Sequence, residues 1–179
     1  MGLNTTPATL VVGTFVTPAI WNVEIRDNMT ALGLGAIMGT PISTATNGTA
    51  TAGGAVEIMD AVLGNYTFTA VAGRRYRAVL DGLGVDTTVA ADLICVRIRN
   101  GGASAPTITS TAVAAAQSRP AVAGGTGDES VVLGNTFVPG AGVVTLGASI
   151  QRLVGTGVEM MIAIQAVPRQ LYAVDLGPA

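Results

Sequence analysis

The chain has 179 residues, 24 of them glycine, a formal net charge of −2, charged residues at 11%, and neither histidine nor lysine. Without imidazole there is no Ser-His-Asp or Cys-His relay and no HExxH metal site, and without an ammonium there is no phosphate-loop lysine and no Schiff base. The acidic balance offers nothing to draw the chain to nucleic acid, and a lone cysteine, Cys95, closes no disulfide within it.

In chain order, Thr9 to Val16 (TLVVGTFV) is a short β-prone run suited to adding itself to the edge of another sheet. Thr17 and Pro18 then supply a helix cap and first position, and the spacing of Trp21, Ile25, Asn28 or Met29, and Leu32 predicts an amphipathic helix over 18–34. Residues 33 to 54, rich in Gly and Thr, read as an extended connector. The segment 1–54 is therefore expected to be an arm made of strand, helix and connector.

From residue 55 the signal becomes alternation. In Tyr66 to Val71 one face carries Tyr66, Phe68 and Ala70, and in Tyr76 to Leu80 one face carries Tyr76, Ala78 and Leu80 while Arg75 and Arg77 take the other. Ile94, Val96 and Ile98 likewise oppose Cys95, Arg97 and Arg99. Further strands are expected over 55–62, 107–113, 130–138, 143–153, 158–167 and 170–176, with turns between them at AGRR, NGG, AGGTGDE, PGAG and VPRQ. About eight or nine strands at this spacing predict an antiparallel β-sandwich over 55–179, a mostly β, jelly-roll-like domain. Segments 143–150 and 158–167 are apolar or small on both faces, which fits either central strands of a sandwich whose outer face carries small residues or an outer face that meets another subunit.

Carboxylates open two chemical possibilities. Asp81, Asp86 and Asp92, with Asp128 and Glu129, put oxygen ligands on loops without matching a calcium-loop spacing, and strand-end surface acids are the plainer reading. Glu57, Asp60, Glu159 and Asp175 are the acids from which a hydrolytic pair facing across a groove would have to come. Cys95 reads as a small packed hydrophobe. Arg74, Arg75, Arg77, Arg97 and Arg99 form the one basic concentration, expected to pair with Asp81, Asp92 or Glu57 across strands or subunits.

The opening pattern Val12-Gly13-Thr14-Phe15-Val16-Thr17-Pro18, followed by Trp21-Asn22, Ile25-Arg26-Asp27-Asn28 and Leu32, resembles the start of small structural proteins of tailed phages that infect actinobacteria. GNYTFTAVAGRRYRAVLDGL, DLICVRIRNGG and GTGVEMMIAIQAVPRQLYAVDLGP are similar to the β-sandwich modules of such virion proteins, which in turn resemble trimeric tumour-necrosis-factor-like jelly rolls. The resemblance spans over half of the chain and carries no catalytic residues. It implies a virion component made in the host cytoplasm and assembled on the particle: a homotrimeric capsid decoration or minor capsid protein that stabilises the head shell. Its partners would be copies of itself and the major capsid protein or another virion protein. The alternative is a tail fibre, tail-tip or other tail appendage protein binding the host surface through loops near Gly101, 124–129 and Pro139. The expected partner contacts are Leu10, Val12, Phe15, Trp21, Ile25 and Leu32 on the arm and Arg75 and Arg77 on the body. No enzyme activity, cofactor, metal, nucleic acid or membrane is expected.

Overall fold

A two-residue period of burial governs the body, and the strands follow from it. The structure, a computed structural model, describes residues 35–48, 50–51, 56–124, 129–164 and 167–179. The expected strand over 9–16 and the expected helix over 18–34 lie outside the described residues, as do Leu10, Val12, Phe15, Trp21, Ile25 and Leu32. Among the described residues the regular elements are strands: β1 (Ile42–Thr44), β2 (Ala50–Thr51), β3 (Ile58–Met59), β4 (Asn65–Ala70), β5 (Arg74–Thr87), β6 (Leu93–Asn100), β7 (Thr111–Ser118), β8 (Glu129–Phe137), β9 (Gly142–Val154), β10 (Glu159–Ala163) and β11 (Arg169–Pro178). No helix among them is long and apolar enough to cross a membrane.

The strands form two sheets, antiparallel throughout. In sheet I, β5 is central: β8 lies on one edge, and the other edge is shared end to end by β11, opposite Arg74 to Asp81, and β10, opposite Leu83 to Thr87. β1 and β2 then pair with β11 and β10 in the same end-to-end way. In sheet II, β9 is flanked by β6 on one edge and by β3 and β4 on the other, with β7 outside β6. Taking β1/β2, β3/β4 and β10/β11 as three interrupted arms leaves eight arms in the orders 1-8-3-6 and 2-7-4-5. That is the double Greek key of a jelly roll, in which every connection except β6 to β7 carries the chain across to the opposite sheet.

Tyr76, Ala78, Leu80, Leu83 and Val85 of β5, Ile94, Val96 and Ile98 of β6, Val144, Leu146, Ala148 and Ile150 of β9, and Leu171 and Ala173 of β11 point between the sheets and make the core. At one end four aromatic rings link the two layers: Tyr66 to Phe68 at 5.8 Å, Phe68 to Tyr76 at 5.1 Å and Tyr76 to Phe137 at 6.3 Å between centroids. The faces expected for Tyr66 to Ala70, Tyr76 to Leu80 and Ile94 to Ile98 are the faces observed.

Element boundaries differ from expectation where local polar bonds or distant pairing prevail. The run 55–62 keeps only β3, because the Asp60 carboxylate accepts the N–H groups of Val62 and Leu63 and turns the chain there. The strand expected over 107–113 begins instead at Thr111, since Thr107 and Ser110 close a turn through backbone and hydroxyl bonds. Strand 158–167 ends at Ala163 and pairing resumes at Arg169. Facing that break, β5 bulges at Asp81 and Gly82. Gly82 sits at φ +64°, and a Cβ there would meet the carbonyl of Pro168, so the bulge requires glycine. The Gly/Thr stretch expected as a connector contributes β1 and β2 to the edge of sheet I.

Candidate interaction surface

Each of the four acids from which a hydrolytic pair would have to come is committed to an arginine. Glu57, just before β3, lies on the outer face of sheet II and receives the whole fork of Arg99, with Nε 2.7 Å from Oε1 and Nη2 2.5 Å from Oε2. It also accepts bonds from Arg97 Nη1 at 3.1 Å and the Ser149 hydroxyl at 2.5 Å. Arg97 bonds Gln151 as well, and Arg99 reaches the carbonyl of Ser110. Strand alternation puts Arg97 and Arg99 side by side on β6, so a single carboxylate between them neutralises one charge and satisfies two forks. Burial works to raise the Glu57 carboxyl, but the bonds from Arg99 and Ser149 and the charges of Arg97 and Arg99 together hold it below the usual carboxylate range.

The other three pairs lie between the sheets on the β10/β11 arm. Arg169 Nη1 stands 2.8 Å from Asp60 Oδ2 with both side chains fully buried, and its guanidinium also donates to the carbonyl of Met161. Gly48 packs so closely on that guanidinium that a Cβ would collide with it. Arg74 Nε lies 2.7 Å from Asp175 Oδ2, joining the start of β5 to the end of β11. At the opposite end Arg152 donates to the carbonyl of Gly157 and stands 3.5 Å from Glu159, a buried carboxylate whose oxygens have no hydrogen-bond partner.

Burial pushes the Glu159 carboxyl above its usual value, and the neighbouring Asp92 charge adds to this against the pull of Arg152. A raised folded-state pKa means that Glu159 favours folding below the ordinary glutamate range of ~4.3 and loses that contribution as pH rises through its folded value. Glu159→Gln is therefore expected to raise the melting temperature at neutral pH, with the gain shrinking to nothing toward pH ~4, as thermal melts across that range would show.

Asp92 does not pair with an arginine, contrary to expectation. Its carboxylate accepts from the Thr87 hydroxyl and from the N–H groups of Thr156 and Gly157, closing the β9–β10 turn. Among the described residues no group of acidic or thiol side chains is gathered to hold a metal. Cys95 is buried on the outer side of sheet II outside the main core, and burial pushes its thiol up.

Arg75 and Arg77 are exposed on the outer face of sheet I. Arg75 Nε donates to the carbonyl of Pro178, and neither guanidinium forms an ion pair among the described residues, although Asp81 had been an expected partner. Thr136 of β8 lies beside Arg77, and beyond it the face carries apolar side chains. Val79 of β5 lies beside Tyr172 and Gly134, and Val174 pairs with Arg77 on one side and with Ile37 on the other. Val132 is 70% exposed and Ile37 50% exposed. Toward the other end Ile162 and Ile164 cover Gly84. Along β5 the outward charges change sign, from Arg75 and Arg77 to Asp81 and Asp86, with Val79 between. The sequence had singled out the two arginines but not this apolar setting, which arises only when β5, β8 and β11 lie side by side.

No protein-family model matches the chain, and no curated protein matches it. Among solved structures, an α-amino acid ester hydrolase labelled with selenomethionine aligns with 66% of this chain at 12% identity and a TM-score of 0.34, and this chain spans 26% of the hydrolase's length.

Proposed function

We propose that the chain is a structural protein of a tailed-phage virion: a homotrimeric capsid decoration or minor capsid protein that lies on the head shell and holds it together through non-covalent contacts. The observation that carries this reading is the contrast between the two charge settings. Glu57, Asp60, Glu159 and Asp175 each face an arginine within the sandwich, while the outer face of sheet I presents apolar side chains beside Arg75 and Arg77, which form no ion pair among the described residues. A face with cations at one end, carboxylates at the other and valines between is suited to burial against a different face of a neighbouring subunit, as the head-to-tail contacts of a trimer require. The motif resemblance of residues 12–32 supplies the virion setting, and Leu10, Val12, Phe15, Trp21, Ile25 and Leu32 would be the arm's anchors on neighbouring subunits. Each added contact would stabilise the assembled shell by mass action.

Quantitative mass analysis of purified particles is expected to give a copy number in step with the shell subunit. A count typical of a tail component would overturn the head assignment in favour of the tail reading. In solution, light scattering is expected to give a trimer that Arg77→Glu combined with Val132→Asp reduces to monomer; a wild-type monomer would remove self-association from the proposal.

A further inference from the structure

The geometry points to the Asp81–Gly82 step in the β5 bulge as a site of spontaneous backbone modification, and we propose that it converts to isoaspartate through a cyclic imide while the protein stays folded. The inference is independent of the virion reading, because it needs no partner and no co-reactant but water.

The chemistry is an attack by a backbone nitrogen on the side-chain carbonyl carbon of the residue before it. It is favoured where the nitrogen belongs to glycine, which has no Cβ to obstruct the ring. The sequence holds three such steps: Asn47–Gly48, Asp81–Gly82 and Asn100–Gly101. In an unfolded chain the two asparagines react first, since their amide is the better leaving group at neutral pH. The fold reverses that order.

Both asparagine steps have the attacking nitrogen tied down. The N–H of Gly48 donates to the carbonyl of Met161 at 2.5 Å, and Gly48 is pressed against the Arg169 guanidinium as well. The N–H of Gly101 donates to the carbonyl of Thr145 at 2.9 Å, while Asn100 Oδ1 passes it by to accept from Gly102. Each would have to give up backbone bonding before it could close a ring.

Asp81–Gly82 is under no such restraint. β8 pairs with Leu80 and next with Leu83, and on the other side β11 pairs as far as Asp81 and β10 from Leu83, so Gly82 pairs with no residue on either neighbouring strand. Its N–H donates instead to Asp81 Oδ1 at 2.7 Å, which sets the carboxyl against the nitrogen that attacks it. Asp81 is exposed and forms no ion pair among the described residues. Asp86 and Asn135 also fold back on the next N–H, at 2.7 and 2.9 Å, but that next residue is a threonine in each case, and its branched Cβ crowds the ring.

In the first step the Gly82 nitrogen bonds to Asp81 Cγ, and the nitrogen's proton leaves as water together with one oxygen and the proton of the carboxylic acid. Water then opens the imide. Attack at Cγ restores aspartate, whereas attack at the main-chain carbonyl of Asp81 breaks its bond to nitrogen and leaves the chain running through Cβ and Cγ. Mass and charge are unchanged, but the backbone is one carbon longer and the carboxylate is displaced on the outer face of sheet I. Since Gly82 already lies outside both ladders, the extra atom enters where the sheet has slack.

The test is to age the full chain for weeks at neutral pH in oxygen-18 water, where every imide that opens acquires one label, and then to map label and isoaspartate by peptide fragmentation. Folded protein is expected to carry at least about tenfold more label at residue 81 than at residues 47 and 100. The same protein aged in urea is expected to show the opposite order, so label gained through transient unfolding is recognised by its pattern. Asp81→Glu, which would need a larger ring, should lose the label at 81 and leave the other two sites as they were. Label appearing first at 47 or 100 in the folded protein would overturn the proposal. So would its absence from 81 when the urea sample is labelled at all three.

Discussion

Asp60→Ala is expected to lower the unfolding free energy by about 3–5 kcal/mol, because it leaves the Arg169 guanidinium buried without its counter-charge. Both partners are fully buried, Arg169 Nε already lacks a hydrogen-bond partner, and Gly48 closes the site from the side, so relaxation toward water is blocked. Burial itself works to lower the Arg169 pKa, and the Asp60 charge offsets only part of this. Two further variants separate the causes. Asp60→Asn keeps the acceptor for the Val62 and Leu63 N–H groups and removes only the charge, so it is expected to retain the ~1 kcal/mol attributable to the turn. The double replacement Asp60→Leu with Arg169→Met removes both charges and is expected to recover most of the loss, since a buried pair is close to neutral against apolar groups of similar volume. Urea unfolding of the four proteins tests the account. A double variant as unstable as Asp60→Ala would show that the turn and the packing around it, and not the orphaned charge, set the cost.

Glu57→Gln is expected to cost about 3 kcal/mol at neutral pH, by leaving Arg97 and Arg99 as adjacent like charges on one face of β6. Its side chain and those of both arginines are mostly shielded from water, which keeps salt from screening the effect away. The pH dependence runs opposite to that of Glu159. The Glu57 pKa is depressed in the folded protein, so its contribution is complete above the ordinary glutamate value of ~4.3 and disappears as pH falls through the folded value. Wild type and Glu57→Gln should therefore differ most at neutral pH and converge in acid. A difference that persists undiminished at pH 2 would contradict the ion-pair explanation.

The fold was legible in the sequence to the extent that it is written locally. Alternation over Tyr66–Ala70, Tyr76–Leu80 and Ile94–Ile98 identified strands and their inward faces, because in a two-layer sandwich the period of burial is the period of the strand. β1 and β2 were not legible. Their Gly/Thr-rich stretch has little intrinsic strand signal and is extended by its register with β10 and β11, far away in sequence. The same separation hid the charge pairs. Glu57, Asp60, Glu159 and Asp175 were identifiable as the acids worth weighing, yet only closure of the sandwich brings Arg169 to Asp60 and Arg74 to Asp175. Asp60 was weighed only as one of four acids that could supply a hydrolytic pair, and its part at the β3–β4 turn, as a turn former and a counter-ion, was not foreseen. The apolar outer face of sheet I was partly foreseen, since 158–167 lacks alternation, but the contribution of Ile37 depended on a bridge to Val174 that no local pattern encodes.

The end-to-end seating of β10 and β11 against β5 orders the folding reaction in time. Sheet I places the last arm between the first and the third, so β1 and β2 have nothing to join until β10 and β11 have docked. The β6–β7 hairpin and its pairing with β9 can form first, as can β5 with β8, while closure of the remainder requires the longest loops in the molecule. Such a wiring belongs to the slow class of β-proteins, with folding over milliseconds to seconds. During synthesis the early strands emerge long before their partners, and the polypeptide must remain unaggregated while it waits. The near-absence of charge in those strands makes that interval the most hazardous one in the life of the molecule.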